Sequence, residues 1–427
     1  MKLYPHQKHA LELTEGRNKV AYYLDMGLGK TFVGSEKAIN LGIDILLVCQ
    51  KSKIDDWKMH FFEYYIDKMK CDESGAWCYN LTTSSGMDMF FHSRYKIKIG
   101  IINYDLVFRR PELLKLNGFT LILDESSLIQ NNKAKRSKFI LKLQPENVIL
   151  LSGTPTAGKY ENLWTQIHLL GWNISEKLYQ KQYVNWKKID VGGVPINIVD
   201  KENPYKNTDR LKNKLRQHGA VFLKTEECFE LPKQNFIDIK VNSSKEYRKF
   251  KKDKIVSTSN GIELVGDTKL TQMLCERQLC GMYSQEKIQA FKDLAESTLD
   301  RLIVFYNFND ELYSLKKVAE ELERPISEVN GKVKDLEAYE LESNSITFIQ
   351  YQAGSMGLNL QKANKIIYFT LPLMSELFEQ SKKRIHRIGQ NQACFYYLLI
   401  VKNSIEQNIK EVLEMRKDFT DELFKNN

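Results

Sequence analysis

A lysine and a threonine placed just behind two glycines can hold a phosphate chain. Residues 21–39, AYYLDMGLGKTFVGSEKAI, supply that order: an apolar run, then Gly27, Leu28 and Gly29, then Lys30 and Thr31 at the head of a helix-like pattern. Backbone N–H groups at a helix start carry partial positive charge, and glycine lets them approach an anion closely. Lys30 adds a point charge for the outer phosphates, and the Thr31 hydroxyl is suited to Mg²⁺. Position 24, where the full GxxxxGK[ST] spacing wants glycine, is Leu24. The loop alone is therefore an incomplete signal and needs partner groups.

Two further stretches supply them. LILDESS (121–127) ends a strand-like run in Asp124 and Glu125. A carboxylate at the tip of a buried strand is costly unless it faces a cation or a cleft. Asp124 suits Mg²⁺, held through water, and Glu125 suits a general base that polarises the attacking water. LLSGTPT (150–156) ends another such run in Ser152 and Thr154, whose hydroxyls can bond the Glu125 region and report on a γ-phosphate.

Buried strands must position these groups. KVAYYL (19–24), DILLVC (44–49), KIKIGII (96–102), FTLIL (119–123) and NVILL (147–151) read as strands, with helical patterns between several of them. Within 54–65, Ile54, Trp57, Phe61 and Tyr64 fall at spacings of three and four and predict one apolar helix face. The theme returns in RLIVFY (301–306), ITFIQY (346–351), KIIYFT (365–370) and CFYYLLI (394–400). Alternating strands and helices predict an α/β fold with parallel sheets covered on both faces. The stretch between the halves, 160–300, is polar and helix-like, with VGGVPINIVD (191–200) as a loop or hairpin.

At 427 residues two domains are expected, joined near ECFELPKQ (227–234) where Pro232 interrupts. No apolar stretch approaches the ~20 residues that span a bilayer, and residues 1–19 contain no continuous apolar segment. A cytoplasmic protein without membrane contact is expected. Seven cysteines form an odd set without a CxxC pair, which suits reduced thiols and gives no support to zinc. Net charge is +9, and residues 176–216 hold ten Lys/Arg against five Asp/Glu, interleaved with Tyr179, Tyr183, Trp186 and Tyr205. Such a balance permits a polyanionic partner without requiring one.

The order of motifs resembles helicase superfamily two. DMGLGKT, LDES, LSGTPT, QAGSMGLNL (352–360) and QSKKRIHRIGQ (380–390) are most similar to its Swi/Snf-type double-stranded-DNA translocase ATPases. LYPHQKHAL, ILLVCQKSKIDDWKMHF, IINYDLV, ENLWTQIHLL, FLKTEECFELPKQ and VKNSIEQNIKEVLEMRK extend the likeness over about residues 3 to 420. The resemblance implies two RecA-like lobes with helical insertions and an ATP cleft between them. Residues 1–230 would form the first lobe, with a helical protrusion at about 172–222. Residues 231–427 would form the second, with a helical insertion at about 244–300 and a brace helix at about 404–424. By position, Gln7 would read the adenine. Arg384 and Arg387 would reach the γ-phosphate with Gln380 nearby, as guanidinium groups that stabilise dispersed charge. Gly357 and Asn359 would couple the lobes together with Ser152 and Thr154.

One departure stands out. The family writes its acidic motif DEAH or DEGH, whereas Ser126 and Ser127 follow Glu125 here. The residues that carry the chemistry are intact, but the histidine that contacts the third motif is missing, and a serine hydroxyl is the available substitute. The implied cofactors are ATP and Mg²⁺, and the implied partner is double-stranded DNA bound by a monomer, with single-stranded or branched DNA as further ligands. Candidate DNA contacts are Lys51, Asn103, Lys133, Arg136, Gln352 and Gly354, since a motor that walks must grip phosphates rather than bases. Other readings are a strand-separating or branch-remodelling helicase, a nucleotide-gated DNA clamp, and a P-loop kinase of small molecules. The last leaves the distant arginine motif unexplained.

Overall fold

The apolar runs of the first half become one parallel sheet. The computed structural model describes residues 2–65, 78–258, 261–352 and 358–424. Its first unit contains β1 (Lys19–Leu24), β2 (Asp44–Cys49), β3 (Cys78–Asn80), β4 (Ile99–Asn103), β5 (Phe119–Asp124) and β6 (Asn147–Leu151). A hairpin, β7 (Trp186–Val191) and β8 (Val194–Val199), precedes β9 (Ala220–Leu223). The sheet order is β3-β4-β2-β5-β6-β1-β9, with every pair parallel. Helices cover both faces, so the strands need no apolar–polar alternation: Val20 to Leu24 are all fully buried.

The second unit builds its own sheet from β10 (Gln234–Val241), β13 (Leu302–Tyr306), β14 (Ile326–Val329), β15 (Lys334–Asp335), β16 (Ile346–Gln350), β17 (Lys365–Tyr368) and β18 (Cys394–Val401). The order is β10-β18-β17-β13-β16-β14-β15, parallel except at the β14–β15 edge. A small hairpin, β11 (Ile255–Ser257) and β12 (Glu263–Val265), stands apart. The division between units falls between Cys228 and Phe229, and Phe419–Asn427 counts with the first.

Three expectations need correction. The strand in KIKIGII begins only at Ile99, because the Lys98 N–H is engaged by the Asp44 side chain at 2.9 Å. In helix Ile54–Tyr65 the inward residues are Ile54, Trp57, His60, Phe61 and Tyr65, whereas Tyr64 is exposed. The row Trp57–Phe61–Tyr65 follows the i+4 ridge, and Tyr64 lies one position off it. Within 172–222 the loop or hairpin expected at 191–200 is the β7–β8 hairpin, between helices Glu176–Tyr183 and Thr208–Gln217, whereas the expected helical insertion at 244–300 also carries strands, β11–β12.

In the second unit the packing isolates one acid. Glu311 is fully buried, and its Oε2 accepts from Asn307 N (2.9 Å), Phe308 N (3.1 Å) and Thr370 Oγ1 (3.0 Å). Among the described residues its Oε1 has no hydrogen-bond partner. Burial pushes its pKa from 4.5 up to about 7, against those three donors. A carboxyl whose folded pKa is raised stabilises the fold while protonated. That contribution is complete below pH 4.5 and is lost as pH rises through about 7. The expected loss across this window is about 3 kcal/mol. Urea unfolding of the wild type should show it, and Glu311→Gln should flatten the profile. An unchanged slope in the variant would refute the assignment.

Candidate functional site

In a parallel α/β sheet, ligands bind outside the carboxyl ends of the strands. Asp25 follows β1, Lys51 lies just past β2, Asn103 ends β4, Asp124 ends β5 and Ser152 follows β6. One edge of one sheet therefore carries most of the predicted first-unit residues.

The loop after β1 has the geometry of a phosphate cradle. Gly27 and Gly29 have φ of 86° and 75°, in the left-handed region that glycine tolerates. Gly29 caps helix Lys30–Leu41, and a Cβ there would lie 2.2 Å from Gln7 Nε2. Any side chain at this position would expel the carboxamide beneath it. Gln7 is buried; its Nε2 donates to Leu28 O (3.2 Å) and its Oε1 accepts from Tyr4 N (2.9 Å). Each carboxamide atom keeps one further valence, as adenine recognition requires. Asp25 anchors the loop from below, accepting from Met26 N (2.8 Å) and from the Thr225 hydroxyl (2.8 Å). Lys30 Nζ rests on Leu24 O (3.1 Å) and approaches Asp25 O (3.5 Å). The same ammonium lies 3.4 Å from where a Cβ on Gly153 would stand, so it faces the Ser152–Thr154 loop.

The acidic pair is held by groups on three other elements. Trp57 Nε1 donates to Asp124 Oδ2 at 2.8 Å, and Tyr104 OH donates to Asp124 O at 2.9 Å. Burial raises the Asp124 pKa, opposed by the Trp57 N–H and by the charges of Lys30 and Lys53. Such a carboxyl is short of positive charge, and a divalent cation beside it would relieve that. Glu125 has φ 55°, a conformation that costs a non-glycine residue of order 1 kcal/mol and is found where function demands it. Its Oε2 accepts from Ser152 Oγ at 3.4 Å, and Ser152 Oγ in turn accepts from Thr154 N at 3.1 Å. The Thr31 side chain is half-buried at the second position of the helix.

The link expected from the DEAH histidine is made differently. Ser126 is fully buried and donates to Gln166 Oε1 at 2.7 Å, which also accepts from Tyr23 OH at 3.0 Å. Gln166 Nε2 donates to Pro155 O at 2.7 Å. The acidic loop is thus tied through Gln166 to the SGTPT loop. Gln166 was not singled out from the sequence; the available signal was a carboxamide among the apolar residues of ENLWTQIHLL. Replacing Gln166 by Leu strands the Ser126 and Tyr23 hydroxyls and should destabilise the protein by about 2–3 kcal/mol. Adding Ser126→Ala should recover part of that loss in a denaturant titration. Purely additive losses would disprove the network.

The predicted nucleic-acid contacts of the first unit gather nearby. Lys51 and Lys133 are exposed. Asn103 is buried, and among the described residues its Oδ1 lacks a partner. Arg136 Nη1 lies 3.7 Å from Asp105, two residues beyond Asn103. In the second unit Arg387 Nη1 donates to Asn359 Oδ1, and burial lowers the Arg387 pKa. Arg384 is buried, and its carbonyl accepts from Leu360 N at 3.0 Å. Gln380, also buried, donates to Glu376 Oε1 at 3.4 Å. Gln352 is exposed just past β16, whereas Gly354 and Gly357 lie outside the described residues. No helix among the described residues is long and apolar enough to cross a membrane.

Known proteins place the chain in a family. The SNF2-related domain family matches residues 8–290, and the helicase conserved C-terminal domain matches residues 286–389. A Bacillus subtilis protein named uncharacterized ATP-dependent helicase YqhH is 24% identical over 96% of this chain and 77% of its own. An uncharacterized ATP-dependent helicase of Mycoplasma genitalium, MG018, is 22% identical over 92% of this chain and 39% of its own. The yeast ISWI chromatin-remodeling complex ATPase ISW1 is 21% identical over 92% of this chain and 38% of its own. The chain thus spans well under half the length of the last two. A solved SWI2/SNF2 ATPase core of Sulfolobus solfataricus, in complex with dsDNA, aligns at TM-score 0.46 with 18% identity, covering 99% of this chain and 92% of that one.

Proposed function

Because the chain belongs to the SNF2-related family of ATP-hydrolysing, helicase-type enzymes, we propose that it is a DNA-stimulated ATPase that translocates on double-stranded DNA. The observation that carries this reading is the convergence of Lys30, Asp124, Glu125 and Ser152 at the strand ends of one sheet.

The residues present fit a nucleoside triphosphate and a divalent cation. Gln7 offers a donor and an acceptor to the adenine edge. The backbone of Gly27, Leu28 and Gly29 wraps the phosphates, and Lys30 exchanges its two carbonyl contacts for charged oxygens. Thr31 and Asp124 would hold Mg²⁺, which when bound neutralises charge developing on the phosphate oxygens. Glu125 takes a proton from the attacking water, while Ser152 orients its carboxylate. Arg384 and Arg387 supply guanidinium charge to the transferring phosphoryl group. Lys51, Asn103, Lys133, Arg136 and Gln352 grip DNA through its phosphates, which makes stepping indifferent to sequence. The protein acts as a monomer in the cytoplasm.

ATPase rate measured against duplex, single-stranded, forked and RNA ligands tests the reading. Duplex DNA should stimulate turnover most. A rate that no DNA alters would refute it. A second reading, strand separation, draws on the β7–β8 hairpin, whose Val191, Val194 and Ile196 stand exposed at its tip. Displacement of one strand from a forked duplex would favour it.

A further inference from the structure

A cavity of about 410 Å³ opens beside the loop that carries Lys133. Its wall includes Gln130, Asn132, Asn162 and Gln180, with Trp186 at one side. Five carboxamides line the cavity, Asn131 included; Gln130 Oε1 accepts from Asn162 Nδ2 at 3.3 Å and Asn131 Oδ1 accepts from Lys133 N at 3.0 Å, which leaves the other amide atoms as donors and acceptors for a flat polar edge. Gln180 Nε2 is committed to Glu161 O at 2.8 Å, but among the described residues its buried Oε1 has no hydrogen-bond partner. A buried acceptor left open in this way costs stability unless a donor arrives. Trp186, the first residue of the hairpin, is 45% exposed and leaves ring surface for stacking.

The charge distribution narrows the ligand. Glu161 and Glu176 also line the cavity, and Glu161 Oε2 accepts from Tyr205 OH at 2.7 Å. Lys133 lines the cavity as well and is exposed, so two carboxylates face one ammonium and the interior disfavours phosphate. Half-buried Arg136 lies on the helix that follows the loop. The site therefore suits a neutral, planar, hydrogen-bonding group whose attached phosphates remain outside near the lysine.

We propose that this cavity receives one unpaired nucleobase of DNA, stacked on Trp186 and donating an N–H to Gln180 Oε1. The assignment rests on the reading of the chain as a DNA-binding ATPase. Base–aromatic stacking tolerates any base, and a single acceptor such as Gln180 Oε1 asks only for one N–H on the edge that an unpaired base exposes. The motor would then sense a bulge, a fork or a strand end within a duplex, and would hold longest where a base is already out of the stack.

Binding of the full chain to three duplexes tests this: fully paired, carrying a single bulged adenine, and carrying an abasic bulge in its place. The bulged adenine should bind about tenfold more tightly than either of the others. 2-Aminopurine at the bulge should be quenched by the wild type. Trp186→Ala should abolish both the preference and the quenching, and Trp186→Phe, which keeps a stacking ring but is a poor electron donor, should restore the preference without the quenching. Equal affinity for the three duplexes, or a preference that survives Trp186→Ala, would overturn the proposal while leaving the motor reading standing. An abasic bulge bound as tightly as the adenine would overturn it too, since DNA flexibility would then explain the preference. Failure to bind any DNA would remove the motor reading, and this inference with it.

Discussion

Glu125→Gln should bind ATP as the wild type does and hydrolyse it about 10²–10⁴-fold more slowly. The substitution is isosteric, so the left-handed backbone at φ 55° and the 3.4 Å contact from Ser152 Oγ can both persist. What disappears is the negative charge and the capacity to take a proton from water. In the proposed site, phosphate is held by Lys30 and the glycine loop, which the change does not touch. Nucleotide titration alongside steady-state turnover separates the two effects. Retained binding with collapsed kcat identifies a general base. Turnover within about tenfold of wild type would instead support a nucleotide-gated clamp in which hydrolysis is incidental. Ser152→Ala should show a smaller loss, because it releases the carboxylate without removing it.

Much of this site was legible because its logic is local. GLGKT, DES and SGTPT each follow a strand that is buried on both faces, and such strands read as unbroken apolar runs. Where a run was long and aliphatic, as in β1, β2 and β6, its bounds could be read to the residue. Short β9, with only AVFL to mark it, and β3, with CYN, gave no such signal. The buried bridge of Ser126, Gln166 and Tyr23 was illegible for another reason. Its members are 40 and 143 residues apart in the chain, and only the fold brings them together. Nor does any sequence pattern announce that Glu125 sits at positive φ. Glycine would be the expected residue there, and its absence marks a position where the side chain is worth the strain.

The cavity beside Lys133 shows the same limit from the other side. QNNKAKRSK reads as a basic, polar helix start, and nothing in it points to Gln180 or Trp186, some fifty residues away. The hairpin that carries Trp186 lies in a stretch that composition alone marks as basic and aromatic. Chemistry built from one loop can be read in order along the chain. Chemistry assembled across insertions has to wait for the fold.

Arg387→Ala should lower kcat by about 10³–10⁵-fold, the range over which a guanidinium acts on a transferring phosphoryl group. The surroundings of the side chain suit that proposed role. Its Nη1 is held by Asn359 Oδ1, and partial burial lowers its pKa without discharging it. A guanidinium already oriented by one neutral acceptor and partly stripped of water meets an anion at little further cost. Arg387→Lys should fail to rescue, because a point charge on a flexible stem cannot reproduce the planar fork. Asn359→Ala should give an intermediate loss, since it removes the orientation and keeps the charge. Arg384 is a less clean probe, as its burial and its backbone bond to Leu360 mix stability with activity. If Arg387→Ala turned over ATP at nearly the wild-type rate with DNA present, the HRIGQ segment would be a structural turn. The charge that disperses in the transition state would then have to be met by Arg384, Lys30 and the bound cation.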